Sequence, residues 1–424
     1  MVMPVTFRSG TFKFYNLARI NLEGKQMLYF SKASGEFIVE EHTRGFQRHP
    51  ELATLGAGFC VAWTDDTIDH CGVGGPDVRA KIFMSSGTPL GREFIVNTET
   101  IDHQRDPRIA GLANGRLVAI WQDFSGRGGD GCDSGLKAKL FDETGHVFRD
   151  EFLVNVKTAG RQFNASVGAL TGGNFVVVWQ TGAAGSSRIL ARVFMPNGDA
   201  SGTEILVDEN SQSQADHPMV APMPDGSFIL VWSERTIGPR GPLEMIKARQ
   251  FFGDGSPQGE EVLVNPDATV DQKQLSIVGL HDGSFAVVWA EISGPSPFIS
   301  LGCRVFEANG EPRGGGVQVS SNALDRAHSA ALAALDGGQF VVAWTHRNGP
   351  GSEIAHNVNA KLYSNDGAAH GQTITVGNPS RNQGNPSVVA IRGGGFAVAW
   401  EEMTGTEDHA GTCVKAQVFL PANP

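Results

Sequence analysis

Apolar residues recur along this chain in short runs, and seven of them end in tryptophan: GFCVAW, RLVAIW, NFVVVW, SFILVW, SFAVVW, QFVVAW and GFAVAW. The tryptophans are Trp63, Trp121, Trp179, Trp232, Trp289, Trp344 and Trp400, spaced 53 to 58 residues apart. Self-similarity at such a period marks one supersecondary unit, repeated because a single copy cannot bury its own faces. Each unit holds four strand-like runs. In the third, SVGAL (Ser166 to Leu170) is followed by Gly172-Gly173, FVVVW, ILARVF (Ile189 to Phe194), Asn197-Gly198 and EILVD. These predict strands A to D.

The turns fix how the strands pair. Asn114-Gly115, Gly172-Gly173, Asp225-Gly226, Asp282-Gly283, Gly337-Gly338 and Gly393-Gly394 separate A from B. Such pairs supply positive φ for tight hairpins, so A and B are expected as antiparallel neighbours. Asp254-Gly255, Asn309-Gly310 and Asp366-Gly367 repeat the device between C and D. Strand B is apolar at every position and so is buried on both faces. A sheet packed on both sides by like sheets is a propeller blade. Ten residues before each Trp, nine in the first repeat, stand Thr54, Gly111, Ala169, Pro222, Gly279, Ala334 and Ala390. Small residues there suit innermost strands crowding a common axis. The last repeat stops after strand C, whereas GEFIVEE (Gly35 to Glu41) is a D strand without a preceding blade. The prediction is an all-β, seven-bladed β-propeller over residues 35–424, with a short extension at 1–34. Its ring is closed by that N-terminal strand on the C-terminal blade, which leaves no open edge there.

The tandem GGxFVVVW…AxxF…EFLVN unit resembles bacterial repeat propellers that are often associated with calcium. The resemblance spans roughly residues 35–420 and implies the architecture, together with a binding or surface role. Some members carry an Asp-Gly-rich loop after the Trp. Only Asp130-Gly131-Cys132-Asp133-Ser134-Gly135 is similar here, so a calcium site in every blade is not implied.

Composition narrows the partners. The net charge is −11 and no Lys/Arg run occurs, which argues against nucleic acid. No apolar stretch approaches the 18 or so residues of a membrane span. The start lacks a charged segment followed by an apolar one, which favours the cytoplasm, although leaderless secretion leaves the same trace. The five cysteines are too few and too odd in number for a disulfide framework. Cys60 and Cys303 read as buried hydrophobes, and Cys71, Cys132 and Cys413 as residues in or beside loops. The oligomeric state is left open, a monomer being compatible with the ring.

Reaction motifs are missing: there is no GxSxG, GxxxxGK[ST], HExxH or paired CxxC. Topology points instead to a face. The D–A and B–C connections share one side of the ring and vary from blade to blade, as site-bearing loops do. Fifteen residues before each Trp, fourteen in the first repeat, stand His49, Asp106, Asn164, His217, Gln274, Ser329 and Asn385, with Arg48 and Arg105 just before the first two. A solvated rim is the plainer account of this polar ring; a funnel for an axial ligand is the sharper one. Two residues after each Trp stand Asp65, Asp123, Thr181, Glu234, Glu291, His346 and Glu402. Those carboxylates are either ordinary polar strand ends or, with Asp66 and His217, contacts for a hydroxyl-rich ligand. Loops of blades seven, one and two add Asp69, His70, Cys71, Glu407, Asp408, His409 and Cys413. His70, Cys71 and His409 form a donor set for a divalent metal, Ca²⁺ or Zn²⁺, although scattered loop residues account for them as simply. Gln47, Gln104, Gln162, Gln272 and Gln383 recur too regularly for a site and read as ties from each D–A loop to the neighbouring blade.

Three functions follow from these features. The first is a propeller binding a small polar ligand or glycan, of carbohydrate-like chemistry, on the D–A and B–C face. The second is a metal-assisted lyase or hydrolase at the channel mouth, with His49 as base, Asp106 orienting it and Arg48 or Arg105 holding negative charge. The third is a protein-interaction scaffold.

Overall fold

The computed structural model describes residues 30–41, 45–66, 75–129, 133–182, 186–208, 214–238, 241–266, 268–293, 298–320, 330–348, 355–404 and 411–421. Its strands form seven antiparallel sheets, each ordered A, B, C, D. Blade one comprises Gln47–Leu55, Gly58–Asp65, Asp77–Met84 and Phe94–Ile95, and the other blades repeat this plan. No helix among the described residues is long and apolar enough to cross a membrane.

Crowding explains which strand lies innermost. The A strands of successive blades touch one another in an unbroken circuit, the seventh meeting the first. A Cβ added at Gly111 would stand 1.8 Å from the Thr54 carbonyl oxygen, and one at Gly279 would stand 2.2 Å from that of Pro222. Glycine is therefore required at these two positions by backbone approaching backbone. Strand B is buried throughout in blades one and two, and Trp63, Trp121, Trp179, Trp232 and Trp400 are fully buried. Seven apolar clusters result, one between each pair of adjacent blades, and the cluster joining Trp63 and Phe59 to Val414 and Val418 closes the circuit.

The ring is sealed by chain ends remote in sequence. Phe37–Ile38 pairs with Ala416 and Lys415 as the missing D strand. Upstream of the expected segment, Phe30–Lys32 also pairs, against Phe419–Pro421, and Phe30 rests on Phe396 with ring centres 5.2 Å apart. Across the seam, the Leu52 amide donates to Ser387 Oγ at 3.0 Å and the Thr54 hydroxyl to the Ala390 carbonyl at 2.7 Å.

Candidate binding site at the ring axis

Strand A does not run regularly from its first residue. In six blades its pairing with B skips two residues: His49 and Pro50, Asp106 and Pro107, Asn164 and Ala165, His217 and Pro218, Gln274 and Leu275, Asn385 and Pro386. The four prolines have no N–H to give a ladder, so a bulge is the natural accommodation. The first residue of each skipped pair adopts a left-handed backbone: His49 at φ 52°, Asp106 at 56°, Asn164 at 50°, His217 at 53°, Gln274 at 54° and Asn385 at 47°. Asn, Asp and His tolerate that region better than most side chains do. The seventh position, Ser329, lies outside the described residues.

The preceding blade anchors the bulge. The His49 amide donates to Glu401 Oε1 at 2.6 Å, that of Asp106 to Thr64 Oγ1 at 3.1 Å, and that of His217 to Gln180 Oε1 at 3.4 Å. Each acceptor directly follows a blade tryptophan. The consequence is an axial cavity of about 520 Å³ whose wall includes all six left-handed residues. Further along strand A it is lined by Glu51, Arg108, Ser166, Met219, Ser276 and Ser387, and among the described residues no Phe, Tyr or Trp lines it.

Two ionic pairs make this wall asymmetric. His49 Nδ1 lies 2.8 Å from Asp106 Oδ1, and Arg105 Nε lies 3.7 Å from Asp106 Oδ2. Burial pushes the Asp106 carboxyl up, but the hydrogen bond and charge of His49, with Arg108 and Arg105 nearby, outweigh it and hold it below the usual carboxylate value. Arg48 and Arg105 stack on Phe46 and Phe124, each 4.4 Å from the ring centre. The second pair is Glu51 and Arg108, with Oε2 and Nη1 3.8 Å apart. Although 28% of its side-chain surface is open, Glu51 is enclosed by protein, and burial raises its carboxyl against the partial relief from Arg108. Arg108 also donates from Nε to the Ala165 carbonyl and from Nη1 to that of Pro107, both at 3.1 Å.

Glu51 and Arg108 are absent from the residues singled out by sequence, yet a signal was there. Thirteen residues before each Trp, twelve in the first repeat, the chain reads Glu51, Arg108, Ser166, Met219, Ser276, Ala331 and Ser387. Only the first two are charged, and they are neighbours.

The other candidates fall elsewhere. Asp65, Asp123, Glu234 and Glu402, expected on the loop face as ligand contacts, are buried inside their blades at 0–4% exposure. Asp65 meets Arg79 at 2.7 Å, Asp123 meets Lys137, Glu234 meets Lys247 at 2.9 Å and Glu402 meets Lys415 at 2.7 Å. Strand C supplies these cations, and the carboxylates line none of the axial cavity. The recurrent glutamines belong to the same arrangement. Gln104 accepts from Trp121 Nε1 at 3.1 Å and donates to Asp123 at 2.9 Å, and Gln162 accepts from Trp179 at 3.0 Å. They also hold the D–A loops, Gln104 donating to the Ile101 carbonyl and Gln162 to that of Gly160, both at 3.2 Å, and Gln383 reaches the neighbouring blade by accepting from the Val358 amide at 3.4 Å. Asp66 is half-buried, its amide donating to the Phe46 carbonyl at 2.8 Å. Cys413, expected beside a loop, sits in strand C of the seventh blade at 2% exposure, and burial pushes its thiol up to about 12. At that burial it packs as a small hydrophobe. His70, Cys71 and His409 lie outside the described residues. Among the described residues, no three His, Cys, Asp or Glu groups converge for a metal ion.

No family model matches the chain, and no curated protein matches it. Solved structures do. The polysaccharide lyase Uly1 is 9% identical with a TM-score of 0.54, the match covering 95% of this chain and 94% of that one. A single-site mutant of the NanB sialidase from Streptococcus pneumoniae is 10% identical with a TM-score of 0.50, covering 91% and 70%. A protein of unknown function from Dyadobacter fermentans is 9% identical with a TM-score of 0.49, covering 93% and 99%. At these identities the likeness is one of fold.

Proposed function

We propose that the axial cavity binds a polar, carbohydrate-like ligand on the D–A and B–C face. The observation that carries this reading is the repeated bulge. Six blades bend strand A into left-handed backbone at the same position, and each turns an amide, carboxylate or imidazole side chain to the axis. Left-handed residues cost about 1–2 kcal/mol each, and such strain concentrates at ligand sites. The cavity's 520 Å³ falls within the usual range of small-molecule pockets, about 300–1,000 Å³. The described lining offers polar and aliphatic side chains, so recognition by it rests on hydrogen bonds to hydroxyl and ionic groups. The two propellers of similar fold described above are named a polysaccharide lyase and a sialidase, and that class of ligand is the one proposed here.

A second reading, acid–base chemistry on the same ligand, is favoured by the His49–Asp106 pair. A carboxylate on Nδ1 orients the ring and leaves Nε2 as the reactive nitrogen, the arrangement a general base needs. Glycan arrays probed with the full chain and with His49→Ala, Asp106→Ala and Asn309→Ala variants test the site. Binding that is lost in the first two with thermal stability unchanged, and kept in Asn309→Ala on the opposite face, is the expected outcome. Binding lost only in Asn309→Ala would place the ligand on the wrong side for this reading. Timed assays of the array hits for chain cleavage separate a binder from an enzyme.

A further inference from the structure

Resting on the axial cavity as a binding site, we propose that its ligand carries a carboxylate, received by Arg108 in exchange for Glu51. Three observations support this. Arg108 is the only cation at its repeat position, where other blades place Glu, Ser, Met or Ala, and it stands in a protein of net charge −11. Its guanidinium is held in place by two neutral backbone carbonyls, which orient it without neutralising it. Of the two carboxylates that feel its charge, Asp106 is hydrogen-bonded to His49 and Glu51 stays 3.8 Å away, beyond hydrogen-bond reach, and Nη2 has no partner among the described residues. A guanidinium matches a carboxylate through two parallel N–H donors, and this one has not made that pair internally. Glu51, whose carboxyl is raised by burial, is the counter-ion poised to give way as a ligand carboxylate arrives. Arg48 and Arg105, stacked on aromatic rings beside the same two blades, add positive field at the entrance.

The competing account makes Arg108 a staple between blades two and three. Blade four shows that the position does not need one, since Met219 occupies it. Arg108→Met and Glu51→Gln variants of the full chain, with folding checked by thermal melts, separate the accounts. The probes are glucuronate and galacturonate against glucose and galactose, read by calorimetry and ligand-observed NMR. Uronates should bind about tenfold or more tighter than the hexoses, and Arg108→Met should erase that difference. Glu51→Gln should strengthen uronate binding and leave hexose binding unchanged, because it removes the internal competitor. Uronate preference that survives Arg108→Met, or uronates weakened by Glu51→Gln, overturns the proposal. If all four sugars bind equally and His49→Ala weakens them all, the cavity stands and the carboxylate assignment falls. If none of the four binds, both fall.

Discussion

A side chain on left-handed backbone points where a regular strand cannot send it. In an unbroken A strand, alternate residues face the two neighbouring blades and leave the axis to backbone edges. The bulge at His49, Asp106, Asn164, His217, Gln274 and Asn385 turns one residue per blade out of that alternation and onto the cavity wall. Residue type and conformation are thus linked, and the link is measurable. At His217, φ 53°, glycine removes the side chain but keeps the backbone, whereas valine has no comfortable place there. Thermal unfolding should show His217→Gly close to wild type and His217→Val lower by about 1–2 kcal/mol, with ligand binding weakened in both. Equal melting of the two variants would mean that this backbone is not left-handed.

Within a blade, the buried carboxylate and its cation act as one unit. Asp123 accepts from Gln104 and pairs with Lys137, which also reaches Glu151 on strand D at 2.9 Å, so four strands converge on one network. Breaking one side of a buried pair leaves an uncompensated charge and costs about 3–5 kcal/mol, whereas replacing both with apolar groups is often close to neutral. Lys137→Met and Asp123→Leu should each destabilise strongly in denaturant melts, and the double variant should recover much of the loss. Additive losses would show two independent contacts instead. The sequence period locates Asp65, Asp123, Glu234 and Glu402 at strand ends but does not say that they sink beneath the loops. Comparing repeats does: Arg79, Lys137, Lys247 and Lys415 stand opposite the tryptophans of blades one, two, four and seven, and those blades carry the buried Asp or Glu two residues after Trp. Blade three has Thr181 there and Leu190 opposite its tryptophan, whereas blade five keeps Glu291 with Gly302 opposite, and that carboxylate is only half-buried. The axial ring was legible for a different reason, its position being polar in every repeat. Its left-handed backbone was not, because φ follows from the skipped ladder partners and not from residue type alone. Glu51 and Arg108 were hidden by strand A being read for its small residues.

The ring as a whole depends on two remote segments meeting, and the D strand at Gly35 to Glu41 announced that closure because it matches the D strands GREFIVN (Gly91 to Asn97) and DEFLVN (Asp150 to Asn155) of later blades. The pairing of Phe30–Lys32 was silent, since FSK has no repeat counterpart and gains its place from Phe396. The seam also holds an unusual acid. Glu40 is 6% exposed; its Oε2 accepts from the Val414 amide at 3.1 Å, and its Oε1 is buried without a partner. Burial, reinforced by the charges of Glu93 and Asp65, raises its carboxyl from the ordinary 4.5 to about 7, against the lowering effect of the backbone bonds. A carboxyl raised on folding favours the folded state while protonated. Its contribution is complete below about pH 4.5, shrinks as the pH climbs towards 7 and is gone above that. The interval corresponds to about 3 kcal/mol of seam stability. Glu40→Gln keeps an acceptor for Val414 and cannot ionise, so it should melt like wild type near pH 4.5 and well above it at pH 8. The seam should respond in particular, with amide exchange in Val414 to Val418 slowed in the variant at pH 8. A stability difference that is the same at both pH values would show that Glu40 does not titrate at the closure.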